Sequence, residues 1–500
     1  MELRRLLSGL HTIRRTGDDT VDITGVQMDF RRVRPGDLFV CIPGSPGILE
    51  DRHAYAGDAV RRGAAALVVE RDVAESGDVP LIYVKDARYA LAAAASRFYD
   101  YPSTRLKVIG ITGTNGKTTT SHLIEHLLKE HGFHTGLMGN LYTRIGQEET
   151  FFANNTQEPP DLQNNLRRMA DARADYCVME VTSQGLDLGR VIGTRFHTAV
   201  FTNLTQDHLD YHLTMDNYLE AKGLLFSRLG NACSSDGAGA VAVLNADDSA
   251  SDYCRRQTTA QIVTYGINNK ADVTAANIRL SASGTQFDVS YLGQSAAVRL
   301  PLVGLFNVYN ALAAIAAVIP EGIEIAEAAR YMAGMKPVRG RMETIDEGQP
   351  FTVLIDYAHT PDGLAQALRA ARGFTRGQLV AVFGCGGDRD RAKRPEMGRI
   401  AARLCGRIIV TSDNPRYEHP DAIMQDIGRG IVEEGFPASH CEMIADRADA
   451  IRRAVMLAGE GDVVIVAGKG HEDYQFMNGR RMHFDDREAV IDALREREGR

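Results

Sequence analysis

A β-branched run at 108–112 breaks into Gly113-Thr-Asn-Gly-Lys-Thr-Thr-Thr120, residue types suited to holding phosphate. Gly113 and Gly116 permit a tight turn whose N–H groups converge on an anion, and a helix opening near Lys117 adds its positive dipole end. Thr114, Asn115 and Thr119 complete the loop. Lys117 is placed to reach terminal phosphates and the Thr118 hydroxyl to bind the accompanying Mg²⁺. The common pattern has one more Gly where Ile111 stands, so this is a shorter G-T-N-G-K-T-T form. Gly-rich strand-to-helix turns also occur without nucleotide; Gly-Lys-Thr after a strand favours the nucleotide. Glu180 closes another strand-like run and would help Thr118 hold Mg²⁺ at the β- and γ-phosphates. Downstream, Asp207, His208, Asp210 and His212 crowd into a short stretch. Zinc is one reading of these histidines, but no third ligand stands at a typical spacing and phosphate calls for a hard cation. One or two of the four read as helix-start residues.

These residues need a scaffold, and 500 residues exceed one core; about two to four domains are expected. An apolar share of 44% and a charged share of 24% are those of a soluble globular chain. The net charge of −8 argues against a nucleic-acid partner. Seven cysteines without CxxC pairing read as reduced core residues of a cytoplasmic protein. The charged N-terminus does not suit a signal peptide, and no apolar stretch reaches membrane-span length.

The expected fold class is α/β with three domains. Residues 1–103 form a small domain with strands at 37–42, 65–69 and 81–84 and helices at 54–62 and 88–99. His53 and Arg88 read there as surface residues, and Pro102-Ser-Thr104 as a linker. Residues 104–337 form a central P-loop ATPase-like domain with a mostly parallel sheet. Its loop helix carries Leu123, Ile124, Leu127 and Leu128 on one face and stops at Gly132. Further strands fall at 176–180, 198–202 and 241–244, an antiparallel meander at 277–300 and a buried helix from Leu305.

Residues 338–500 form a Rossmann-like domain in which a buried strand runs into a polar motif four times. The motifs are Asp356-Tyr-Ala-His-Thr-Pro-Asp362, Gly384-Cys-Gly-Gly-Asp-Arg-Asp390, Asp413-Asn-Pro-Arg416 and Gly468-Lys-Gly-His-Glu472. Ligands of parallel sheets bind beyond the carboxyl ends of strands, so the four are expected to converge on one site. Turn chemistry explains the Gly, Asp and Asn, but not His359, Arg389, Arg416 or Glu472.

The phosphate loop, Met179-Glu-Val-Thr-Ser, Phe201-Thr-Asn-Leu, Asp207-His-Leu-Asp-Tyr-His212, Ala221-Lys222, Phe306-Asn-Val-Tyr-Asn310, Gly340-Arg-Met-Glu343 and Asp356-Tyr-Ala-His-Thr-Pro-Asp362 occur in one order across the chain. Together they resemble the Mur ligases of peptidoglycan synthesis. The resemblance implies a monomeric ATP-dependent ligase that phosphorylates a nucleotide-linked peptide carboxylate and lets an amino acid's amine displace the phosphate. It also implies catalytic roles for Lys117, Glu180, His208 and Lys222. Lys222 matches a family lysine carbamylated by CO₂, which supports a second Mg²⁺ together with His208. Asn307, Arg341 and Asp356 match ATP contacts.

By the same resemblance Asp413-Asn-Pro-Arg416 is similar to the signature of members that add meso-diaminopimelate. Arg389, Asp413, Asn414, Pro415, Arg416, Gly468 and Glu472 would form that pocket, since a second carboxylate and ammonium suit a bidentate arginine and an acid. His419 stands where the family usually has Asp. The acceptor implied is UDP-N-acetylmuramoyl-L-alanyl-D-glutamate, on Met28, Phe30, Ser45, Asn155, Thr156, Thr182 and Arg190. Three departures fall on that side. The family's Asp-Ser-Arg is Asp29-Phe-Arg31, Thr-Thr-Pro is Asn155-Thr-Gln157, and Ser-Ser-His is Thr182-Ser-Gln184. A paralogue acting on another peptide or a folate-like carboxylate is the alternative; a non-catalytic relative is disfavoured by the intact phosphate-site residues.

Overall fold

A computed structural model describes residues 1–44, 50–151, 155–230 and 239–499. Three larger sheets and one two-stranded sheet, Tyr474–Met477 with Arg480–His483, carry the chain. The first orders its strands Arg14–Thr16, Leu81–Tyr83, Ala66–Val69, Asp37–Val40 and Gly25–Gln27. Helix Ala87–Phe98 covers one face, burying Ala87, Ala90, Leu91 and Ala94 against Leu38, Val40 and Val68.

The second sheet has 11 strands. Its parallel centre runs Gln261–Gly266, Val241–Asn245, Thr198–Phe201, Lys107–Thr112, Tyr176–Glu180 and Thr135–Met138. These strands are apolar because helices cover both faces. Helices Lys117–Glu130 and Leu305–Val318 bury Leu123, Leu127, Val308 and Leu312 on one face, while Leu162, Leu166, Leu225 and Phe226 fill the other. The meander Val273–Ser281, Gly284–Tyr291 and Gln294–Leu300 extends one edge, and the hairpin Thr143–Ile145 with Glu148–Thr150 extends the other.

The third sheet orders Glu343–Ile345, Thr352–Asp356, Val463–Ala467, Leu379–Phe383, Arg407–Val410 and Cys441–Met443, parallel except at its first pair. The four strands that precede the polar motifs are therefore adjacent, and their carboxyl ends point one way.

Three local readings are corrected. Residues 102–104 are not a loose linker but a 3-10 helix with Pro102 and Ser103 buried; the Ser103 hydroxyl accepts from the Arg195 N–H at 3.0 Å. Residues 54–62 divide into the 3-10 helix Arg52–Tyr55 and the α-helix Ala56–Arg61. His53 is buried, its Nδ1 2.7 Å from the Asp51 carboxylate and its Nε2 accepting from the Glu70 N–H. Arg88 is half-buried, with Nη2 enclosed and unpartnered. Among the described residues six cysteines are free thiols, five of them buried; Cys233 lies outside those residues. No described helix is long and apolar enough to cross a membrane.

Candidate active site

The phosphate loop leaves strand Lys107–Thr112 and enters helix Lys117–Glu130 through Gly116 at φ +87°. A Cβ at Gly116 would collide with the Asn310 side chain, so the helix Leu305–Val318 presses on the loop and enforces glycine. The end of the neighbouring strand fixes the turn. Asn115 N–H donates to Asn203 Oδ1 at 2.9 Å, and the Thr202 hydroxyl donates to the Asn115 carbonyl at 2.7 Å.

Lys117 Nζ folds back on its own loop, donating to the Gly113 and Thr114 carbonyls at 2.9 and 2.7 Å. Burial pushes its pKa below the ordinary lysine value, against the pull of Glu180 and Asp207. Glu180 is buried and accepts from the Asn140 N–H at 2.9 Å. Thr118 Oγ1 accepts from Arg341 Nη2 at 3.0 Å, and the Arg341 guanidinium lies 4.5 Å over the Tyr357 ring. Asn115 Nδ2 reaches Asp362 Oδ2 at 2.9 Å, so the third sheet's first motif touches the phosphate loop directly.

These groups border a cleft of about 480 Å³. Of the expected residues, Thr114, Asn115, Gly116, Lys117, Thr118, Thr119, Asn155, Glu180, Thr182, His208, Arg341 and Asp356 line it. Asn307 does not: it is buried, donating to the Val303 carbonyl and accepting from Asn310 Nδ2 at 2.9 Å each. Asn310, one helical turn on, lines the cleft with Phe306 and Tyr309. Sequence reading missed Asn310, although its i+3 spacing from Asn307 was the available signal.

A second cavity of about 220 Å³ lies at the ends of the third sheet's strands. Arg389, Asp413, Asn414, Arg416, Gly468 and Glu472 all line it, so the four motifs do converge. Asn414 Nδ2 donates to Glu472 Oε2 at 2.7 Å, and the buried Lys469 ammonium lies 3.3 Å from the same oxygen. Burial and Asp413 nonetheless raise the Glu472 pKa. Arg416 adopts φ +54° and donates to the Gly387 carbonyl at 2.9 Å. Burial, then Arg416, lower the Arg389 pKa. Pro415 does not line the cavity; its carbonyl packs where a Cβ on Gly387 would stand.

Ion pairs around two buried arginines hold this cavity from behind. Arg447 donates to both Asp486 oxygens at 2.7 and 2.8 Å and to the Ala467 carbonyl at 3.0 Å, with neither side chain exposed. Arg394 joins Glu418 at 2.8 Å and Asp426 at 3.0 Å, while Glu418 also accepts from the Asp388 N–H.

Lys222 lies beneath the loop, buried, with Nζ donating to the Gly113 carbonyl at 2.8 Å and standing 4.2 Å from the Tyr218 ring centre. Burial, then Lys117, push its pKa well below the ordinary value. His208 is pushed down to about 4, chiefly by burial. Among the described residues no three His, Cys, Asp or Glu side chains form a metal-ready cluster. Thr118 and Glu180 do supply oxygen donors beside a phosphate loop, a set that suits Mg²⁺, which takes few protein ligands and fills its shell with phosphate and water.

On the acceptor side, Thr156 Oγ1 bonds the Glu180 carbonyl and accepts from the Thr182 N–H, and Arg190 Nη1 donates to the Thr156 carbonyl at 3.1 Å. Met28 belongs to the core of the first sheet, and Phe30 stacks on Tyr55 with centroids 4.6 Å apart. Gln157 is buried, donating to Thr143 Oγ1 and accepting from Asn165, so this departure faces inward. Ser45 lies outside the described residues.

Residues 111–318 match the model of the Mur ligase middle domain, and residues 340–470 that of the Mur ligase, glutamate ligase domain. A UDP-N-acetylmuramoyl-L-alanyl-D-glutamate–2,6-diaminopimelate ligase of Bacillus licheniformis is 48% identical over 99% of this chain and all of its own length. That of Geobacillus kaustophilus is 46% identical over 99% of this chain and all of its own length. A solved structure of a ligase of the same name superposes with a TM-score of 0.69 at 33% identity, covering 100% of this chain and 99% of that one. With a phosphate loop, two joined cavities and full-length likeness of this order, the chain belongs to the Mur ligase family.

Proposed function

We propose that this protein is an ATP-dependent ligase that adds meso-2,6-diaminopimelate to UDP-N-acetylmuramoyl-L-alanyl-D-glutamate in peptidoglycan synthesis. One observation carries the reading. The phosphate-loop cleft and the cavity with paired arginines and acids share Asp207, His208, Tyr357 and His359, so a phosphorylated carboxylate in one meets an amine from the other.

The division of labour follows the three sheets, with 1–103 holding the uridine nucleotide, 104–337 the ATP and 338–500 the amino acid. Lys117 and the loop N–H groups neutralise the transferring phosphoryl group, which is chiefly positioning and electrostatics. Thr118 and Glu180 would hold Mg²⁺, with His208 and a carbamylated Lys222 at a second site; bound there, Mg²⁺ supplies charge neutralisation at the phosphoryl oxygens. Burial that lowers the Lys222 pKa supports the carbamate, because CO₂ adds only to a neutral amine. Arg389 and Arg416 would grip the distal carboxylate of diaminopimelate, and Asp413 and Glu472 its distal ammonium. Thr156, Thr182 and Arg190 would hold the peptide of the acceptor. An acyl phosphate hydrolyses if water reaches it, and the Asn115–Asp362 contact closes the third sheet's motif over the loop. Both cavities belong to one chain, which supports a monomer, and the need for ATP supports a cytoplasmic location.

The test is phosphate release with ATP, Mg²⁺ and the UDP-muramoyl dipeptide, comparing meso-diaminopimelate with L-lysine. Release is expected only with diaminopimelate; equal release with lysine would sink the amino-acid assignment, and none with either would redirect the search to another carboxylate acceptor. Lys222→Ala is expected to abolish turnover while the melting temperature holds.

A further inference from the structure

Ligation needs a proton acceptor at the amine, and none of the roles above supplies one. Among the described residues the two cavities meet at four side chains. His208 is engaged with Asp207 at 3.4 Å and has a metal role assigned. Asp207 accepts from the His208 N–H at 2.8 Å, and its other carboxylate oxygen lies against the His208 ring, so it is committed to that residue. Tyr357 is a phenol whose pKa burial raises, a proton donor at neutral pH.

His359 is different. Its Nδ1 lies 2.9 Å from the Tyr357 carbonyl, an acceptor only, so Nδ1 carries the hydrogen and Nε2 the lone pair in the neutral ring. The ring is held edge-on against Tyr357, centroids 4.6 Å apart. Nε2 accepts no hydrogen bond from any described residue, and the side chain borders both cavities.

Resting on the function proposed above, we infer that His359 is the general base for the attacking amine. Nε2 takes one proton from the substrate ammonium, and the freed amine nitrogen bonds to the acyl carbon. The carbon–oxygen bond to phosphate breaks, phosphate leaves with the electron pair, and the surplus N–H proton leaves with it to solvent. Asp207 faces the ring and stabilises the imidazolium so formed. Lys393, which donates to the His359 carbonyl at 2.9 Å, opposes it, as does Arg341, while the nearby His208 and His471 rings, pushed down to about 4 and about 3 chiefly by burial, add no charge at neutral pH. Burial and then Lys393 depress the ring's pKa, so it is neutral and ready to accept a proton across the physiological range.

The experiment uses His359→Asn in the full chain, since the Asn amide retains a donor for the Tyr357 carbonyl. Diaminopimelate-dependent turnover is expected to fall about 10²- to 10⁴-fold with the KM for ATP unchanged. With hydroxylamine as nucleophile, an amine already uncharged at neutral pH, ADP release is expected within a few-fold of the natural protein. Unchanged turnover with diaminopimelate overturns the inference, and so does an equal loss with hydroxylamine, which would place the residue in phosphoryl transfer. A second variant keeps the question open to refutation if His359→Asn does not fold. Lys393→Met removes a repelling charge, so the acid limb of kcat/KM is expected to move to higher pH, and an unmoved limb overturns the assignment. Silence of the natural protein with diaminopimelate would count against the function; a natural protein and a His359→Asn variant that turn over equally count against the base.

Discussion

The two cavities are built by opposite means. The phosphate cleft is shaped by backbone: glycine at positive φ, carbonyls of Gly113 and Thr114 holding Lys117, and the Gly113 carbonyl holding Lys222. The third-sheet cavity, proposed for the amino acid, is shaped by side chains, with Arg416 and Glu472 placed by Gly387, Asn414 and Lys469 and braced by the buried Arg447–Asp486 pair and the partly buried Arg394–Glu418 pair. Phosphate is common to every nucleotide, so a local loop suffices to bind it. Choosing one amino acid among twenty-odd needs charges at fixed points on several strands, and only a network can hold them.

The contrast is sharpest for stability. Arg447→Met leaves Asp486 buried and unpaired and is expected to cost about 3–5 kcal/mol in denaturant unfolding. The double variant Arg447→Met with Asp486→Leu should recover much of this while still weakening diaminopimelate binding; recovery of both would make the pair a mere stability element. Lys117→Ala, in contrast, is expected to lower turnover about 10²- to 10³-fold with the melting temperature unchanged, because it removes a positioned charge and no packing. A marked fall in melting temperature would show that the loop, too, depends on side chains.

Within the second cavity, Arg416→Ala is expected to raise the KM for diaminopimelate about 10- to 150-fold, the equivalent of about 1.5–3 kcal/mol for a hydrogen bond to a charged group, with the KM for ATP little changed. Equal changes in both would mean that the cavities do not divide the substrates. The smallest effect concerns pH. The hydrogen bonds from Arg394 hold the Glu418 carboxyl down at about 2, against an ordinary 4.5. A depressed carboxylate stabilises the fold above its unfolded pKa and loses that contribution as pH falls through its folded one. The melting-temperature advantage over Glu418→Gln should therefore be full at neutral pH and shrink between about 4.5 and about 2; a constant difference would remove Glu418 from the acid response.

Much of this was legible in the residues. The run 176–180 is a strand to the residue, and strands Leu379–Phe383 and Val463–Ala467 stand directly before their polar motifs as expected, since a buried parallel strand is an uninterrupted apolar run closed by a polar turn. Strands Thr135–Met138 and Gln261–Gly266 were not read, because polar and glycine residues dilute their pattern and their neighbours in the sheet supply the pairing. The segment 102–104 looked like a linker because Pro and Ser punctuate loops; burial against Arg195 makes it part of the packing.

The chain's local order determined the phosphate loop, the helix dipole behind it, the apolar strands and the polar motifs that end them, because each depends on residues close in sequence. Tertiary structure alone decided that Asn310 and not Asn307 reaches the cleft, that Lys222 is buried under Gly113, that Gln157 turns inward and that His359 stands where two cavities join. Apart from Gln157, whose partners Thr143 and Asn165 are near in sequence, those outcomes depend on groups 100 residues or more apart meeting in space, where desolvation and the nearest opposite charge set what each side chain can do.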